Sequence, residues 1–184
     1  ETGKWNKRQK VKFFCCDMRR GFSKIAKNLF PKATICIDPF HVIQLLSKCM
    51  DTVRNLELNR LKELNDSDGI KLLNSTKTLL LTSPFNQHLY WKDNYAKKAK
   101  RIEQICERFQ DIDLVYSALQ EFHILFRQND FRLQTFFLNE WIRNYESVEC
   151  PQLRTAVSTI KQFKDGILNA WRFGKSNALC ESLN

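Results

Sequence analysis

The apolar positions open the chain as a block. Val11, Phe13, Phe14, Cys15 and Cys16 follow one another almost without a break and stop at Asp17. A short aromatic-rich run of this kind predicts a buried strand over 11–16. The period then changes. Phe22, Ile25, Ala26 and Leu29 stand at i, i+3, i+4 and i+7, which predicts an amphipathic helix over 19–29, ended by Pro31. In "KATICID", 32–38, Ala33, Ile35 and Ile37 alternate with Thr34 and Cys36, so a second strand is predicted to end on Asp38. Strand, helix, strand at this spacing is a βαβ unit, with the two strands parallel and adjacent.

After Pro39 the pattern is helical throughout. Val42, Leu46, Cys49, Met50, Val53, Leu56, Leu61 and Leu64 trace one stripe, which the turn-rich "NDSDG", 65–69, brings to an end. Further helices are predicted over 70–82, broken near Ser83-Pro84, and over 95–110, 112–127, 131–146 and 152–172. No further strand pattern, internal repeat or low-complexity segment is legible. The fold class expected is α/β, predominantly α. Two strands make no stable sheet by themselves, so partner strands are expected in sequence outside this chain, which reads as a fragment.

Composition narrows the function classes. Hydrophobic residues make up 43 % of the 184, enough for a packed core, and no run approaches the roughly 20 apolar residues of a membrane span. The seven cysteines include no C-x-x-C pair and fit neither a disulfide framework nor a zinc site; reduced, buried thiols of a cytoplasmic protein are expected. The net charge of +10 is concentrated. Residues 1–30 hold nine basic residues, among them Lys7, Arg8, Lys10, Lys12, Arg19 and Arg20, against the acidic Glu1 and Asp17. A polyanion such as DNA is the natural partner, with these six residues as candidate contacts.

Three carboxylates stand at informative places: Asp17 and Asp38 at strand ends, and Glu181 in "SNALCESLN", 176–184. The carboxyl ends of parallel strands are where open α/β sheets gather their chemistry. Carboxylates there, beneath a basic surface, point to phosphoryl transfer on nucleic acid with Mg²⁺ or Mn²⁺. Asp38 and His41 form a D-x-x-H pair suited to a supporting role, either architectural or in positioning DNA. His88 and His123 lack acidic or cysteine partners at ligand spacing and read as structural, and Trp141 and Trp171 sit in apolar stripes and read as core. Two other readings stay open: a non-catalytic helical DNA-binding or protein-interaction domain, and a small-molecule enzyme on a doubly wound sheet. The second lacks a Gly-rich phosphate loop, since the chain has five glycines.

Residues 11–54 resemble the central block of bacterial insertion-sequence transposases of the ISL-three family. Asp17-Met18, Phe30-Pro31, Ala33, Ile35, Asp38, Phe40-His41-Val42 and Arg54 stand in the family's places. Ser176, Asn177, Glu181 and Asn184 keep the frame of a closing motif in which Ala178 and Ser182 replace two glycines. The resemblance implies an RNase H-like catalytic core with an Asp-Asp-Glu triad interrupted by a large all-helical insertion. It makes Asp17 the second member, Glu181 the third, and puts the first Asp before residue 1. Both Asp17 and Glu181 would then be catalytic and metal-binding. The implied organisation is catalytic core over 1–44, helical insertion over 45–172, and return to the core over 173–184. It also implies DNA strand cleavage and transfer, the transposon ends and target as DNA partners, a homodimer in the full-length protein, and a place in the cytoplasm at the bacterial nucleoid.

Overall fold

The structure is a computed structural model that describes residues 7–176. Strand β1 (Phe13–Cys16), helix α1 (Arg20–Leu29) and strand β2 (Thr34–Ile37) form the expected βαβ unit, each strand slightly shorter than its apolar run. The strands are parallel, with Phe13 opposite Thr34 and Cys16 opposite Ile37. One further hydrogen bond, from the Asp38 N–H to the Cys16 carbonyl (3.4 Å), carries the ladder past the last pair. Asp17 and Asp38 therefore leave the sheet side by side at its carboxyl edge. Helix α1 stops where Phe30 donates to the Ala26 carbonyl and Pro31 follows.

The face of α1 departs from expectation. Ala26 is buried, but Phe22, Ile25 and Leu29 are 39 %, 50 % and 37 % exposed. Among the described residues little covers that stripe except β1. Periodicity announces an apolar face and says nothing about what lies against it.

Helix α2 (Phe40–Glu63) is the long stripe-bearing helix, burying Val42, Leu46, Cys49, Met50, Val53 and Leu61. Leu56 and Leu64, in the same predicted stripe, are exposed, although Leu61 between them is buried. The single helix predicted over 70–82 is two short ones, α3 (Ser67–Leu73) and α4 (Lys77–Leu81). Polar side chains between them compete with the helical ladder. Asn74 Oδ1 accepts the Ser75 N–H (3.0 Å), and Thr76 Oγ1 donates to the Leu73 carbonyl (2.6 Å). Ser75 itself lies at φ 55°, in the left-handed region. The Arg101 guanidinium then closes the open end of α3 through the Leu72 and Asn74 carbonyls, at 2.9 and 2.8 Å.

A short helix α5 (Gln87–Trp91) and a 3₁₀ turn lead into α6 (Tyr95–Arg108), α7 (Gln110–Phe126), α8 (Phe131–Tyr145) and α9 (Pro151–Phe173). Helix α7 lies at the centre, packed on α2, α6 and α8. Its Phe122 meets the Trp141 ring edge-on at 5.6 Å, and Trp141 Nε1 donates to the Ala118 carbonyl (3.0 Å), so this indole is a satisfied core residue. On α8 the neighbouring Phe136 and Phe137 face outward, 57 % and 45 % exposed. One apolar core runs without interruption from Cys16 and Ile37 through α2, α7 and α8 to Ile167 of α9.

Helix α9 brings the chain back to the sheet. It packs on β2, α2 and α8. Gly166 lies against Ile37, Asn169 Nδ2 donates to the Ile35 carbonyl (3.0 Å), and the Phe173 ring sits 4.9 Å from that of Phe13. The helix thus crosses the sheet from the carboxyl to the amino ends of the strands. Gly174, at φ 58°, ends it in a left-handed cap, with the Lys175 N–H reaching back to the Ala170 carbonyl at 2.9 Å.

Candidate functional site

The site is built at the carboxyl edge of the two strands. Hydrophobic β1 ends in Cys16, which is buried, and the next residue, Asp17, emerges with its side chain 37 % exposed. His41, in the first turn of α2, points its ring at this carboxylate. Nε2 lies 2.6 Å from Asp17 Oδ1, and the imidazole is itself only 15 % exposed. On the other side of the ring, Nδ1 is 2.8 Å from Gln44 Oε1, one helical turn on. Which ring nitrogen donates depends on the tautomer and on the orientation of the Gln44 amide. Gln44 is a residue that sequence reasoning missed. Its position three residues after His41, on the same helix face, is the signal that could have found it.

Asp38 does different work. Its carboxylate is 6 % exposed, and Oδ1 accepts the Phe40 N–H (2.9 Å) while its carbonyl accepts the His41 N–H (3.1 Å). It fixes the start of α2, satisfying N–H groups that a helix leaves open there. The supporting pair is thus divided: Asp38 places the helix turn, and His41 carries the contact across to Asp17.

The thiols beside the carboxylates are not anionic ligands. Burial pushes the Cys16 thiol up to about 11, with the Asp17 charge raising it further, and burial with Cys15 alongside pushes Cys36 up to about 11. Both thiols are therefore held in the protonated form, and the carboxylates are the anionic groups at this edge.

The basic segment leads into this edge. Lys7, Lys10, Lys12 and Arg19 are exposed and Arg8 is half-buried. Arg19 lies over the Phe22 ring at 5.8 Å, and Arg20 opens α1. Farther along α2, Arg54 and Lys77 both hold Asp51, at 2.8 and 2.7 Å. Glu181, and the helix expected to begin near Ser176 or Asn177, lie outside the described residues. His88 stacks on Tyr95 with ring centroids 4.7 Å apart. Half-buried His123 is held below the usual histidine range by burial and by the Arg127 charge.

A parallel βαβ unit thus carries adjacent aspartates at its carboxyl edge, and a long helical run follows it and returns to the sheet. The sequence model of the ISL-three DDE family, described as transposase, matches residues 1–184. The chain belongs to this transposase family. No curated protein and no solved structure matches it. Among the described residues no helix is long and apolar enough to cross a membrane.

Proposed function

We propose that this chain is the part of a DNA transposase that carries Asp17 and Glu181, the second and third carboxylates of an Asp-Asp-Glu triad on an RNase H-like core. The reaction is strand cleavage followed by strand transfer. The observation that carries the reading is the setting of Asp17: a half-exposed carboxylate at the carboxyl edge of a parallel pair, held at 2.6 Å by a histidine from the following helix. The family membership gives that setting its chemistry.

The donor set fits a hard divalent ion in part. Asp17 supplies carboxylate oxygen of the kind Mg²⁺ or Mn²⁺ takes. Asp38, buried and engaged with the Phe40 N–H, is a poor second ligand. Among the described residues no group of three His, Cys, Asp or Glu stands together. Asp17 would therefore hold metal jointly with Glu181 and with the first Asp, which the resemblance puts upstream. When bound, the metal neutralises phosphate charge and activates the attacking oxygen. This chain's own part is to hold that ligand still. His41 fixes the Asp17 carboxylate, Gln44 fixes the His41 ring, and Asp38 fixes the helix turn that carries both. Lys7, Arg8, Lys10, Lys12, Arg19 and Arg20 hold the phosphates on either side.

The same reading divides the chain into core, 1–44 and 173–184, and insertion, 45–172. The return of α9 to β2 supports it, because the excursion closes on the sheet it left.

The test is nicking of plasmid DNA by the full-length transposase with Mg²⁺ or Mn²⁺. Asp17→Asn and Glu181→Gln should each abolish nicking while DNA affinity persists. Wild-type nicking by either variant would refute the triad, and a full-length protein that binds DNA without ever cutting it would favour the non-catalytic reading.

A further inference from the structure

An open groove of about 970 Å³ lies within the helical block, well away from Asp17 in sequence. Lys77 from α4, Tyr90 and Trp91 from α5, and Lys97, Lys98 and Arg101 from α6 line it. Three of these side chains are committed to structure. Lys77 pairs with Asp51, Arg101 caps α3, and Trp91 is 3 % exposed in a small core with Leu79 and Ile102. The others are not. Tyr90 is 69 % exposed, Lys97 is exposed, and among the described residues neither Lys97 nor Lys98 forms an ion pair. The ammonium of Lys98 rests only at 3.5 Å from the Tyr90 carbonyl. At the floor, His123 contributes a buried Nε2 that has no hydrogen-bond partner.

The charge around this groove is a second concentration, separate from the amino-terminal one. Residues 70–101 hold seven Lys and Arg (Lys71, Lys77, Lys92, Lys97, Lys98, Lys100, Arg101) against one acid, Asp93. Lys97 and Lys98, adjacent on α6 and with no carboxylate partner among the described residues, favour an anion at the groove. This groove is open to solvent, and its uncommitted groups there are the Lys97 and Lys98 ammoniums and the Tyr90 phenol, groups that contact phosphate oxygen.

We propose that this groove is a second DNA-backbone site, which holds duplex phosphates through Lys97, Lys98 and the Tyr90 hydroxyl. The proposal rests on the DNA reading above and deepens it.

The experiment is fluorescence anisotropy of a labelled random-sequence duplex titrated with the 184-residue chain over a salt series. It compares wild type, Lys97→Glu/Lys98→Glu, Lys97→Arg/Lys98→Arg and a Lys7, Arg8, Lys10, Lys12→Ala variant. Circular dichroism on each establishes that it is folded. If each lysine neutralises one phosphate, the Glu pair should flatten the log–log salt slope by about 1.8, and the Arg pair should leave it unchanged. A wild-type chain that binds DNA with an unaltered slope in the folded Glu pair, while the amino-terminal variant binds less, overturns the groove and leaves the DNA reading standing. A wild-type chain that does not bind DNA even at low salt overturns both.

Discussion

Replacing Gly166 by Ala tests how tightly α9 is seated on the sheet that carries the candidate site. An ideal Cβ at this position would stand 2.5 Å from Ile37 Cγ1 and 3.3 Å from Ile37 Cβ. Carbon atoms pack best at about 3.5–4.0 Å, so the first contact is about 1 Å or more too short. Ile37 cannot swing aside. Its χ1 is stiff because it is β-branched, and it is 1 % exposed. Overpacking of this kind costs about 1–3 kcal/mol. Against it stands the intrinsic gain of Ala over Gly in a helix interior, about 1 kcal/mol. The clash involves an atom fixed to the strand, which puts the cost in the upper part of its range, and Gly166→Ala should destabilise by about 1–2 kcal/mol. Urea unfolding followed by circular dichroism measures it. An Ile37→Ala background removes Cγ1 and with it the worst contact, leaving the 3.3 Å approach to Cβ against the helix-propensity gain, so there the same substitution should cost clearly less. Gly166→Ala as stable as wild type, or an undiminished cost in the Ile37→Ala background, would refute the packing argument.

Other residues give independent checks. Because burial and Arg127 hold the His123 pKa down in the folded chain, the unfolded chain binds the extra proton first. The stability from a neutral His123 is therefore complete above the unfolded value of 6.5 and is lost as pH falls below it, and urea midpoints between pH 7.5 and 5 should lose part of their slope in His123→Gln. Burial pushes the Cys49 thiol up to about 12, so iodoacetamide at pH 8 should leave Cys49 unmodified in the folded chain and alkylate it in urea, as peptide mass spectrometry reads out; labelling at equal rates in both states would contradict the burial. Trp141→Phe removes the indole bond to the Ala118 carbonyl and should cost about 1–3 kcal/mol in urea unfolding; a cost under about 0.5 kcal/mol would mean the carbonyl finds another donor. In the full-length transposase, His41→Ala should lower the nicking rate with little change in DNA affinity, as expected of a residue that positions Asp17, and equal losses in both would argue for a DNA contact instead.

The periodic parts of this protein were legible because their physics is local. The apolar run before Asp17, the alternation before Asp38 and the long stripe after Pro39 each became the element expected, and the βαβ spacing required parallel strands that put both aspartates at one edge. The motifs around Asp17, Phe40-His41-Val42 and Glu181 were enough to point to the family to which the chain belongs.

What the local pattern could not decide was which groups meet across the fold. Nothing in the D-x-x-H spacing says that the His41 ring reaches Asp17; that follows from the register of β2 on β1 and the angle at which Asp38 starts α2. The break at Asn74-Ser75 depends on polar side chains capturing backbone groups, helped by an Arg101 guanidinium 27 residues away from Asn74. Nothing in the helical pattern announces that a Cβ at Gly166 would meet Ile37 of the sheet. Side-chain period reports that a face is apolar, whereas the partner of that face is set by contacts between residues far apart in the chain. That is why the elements could be read from the residues in order, while the Asp17–His41 contact and the return of α9 were decided only by tertiary packing.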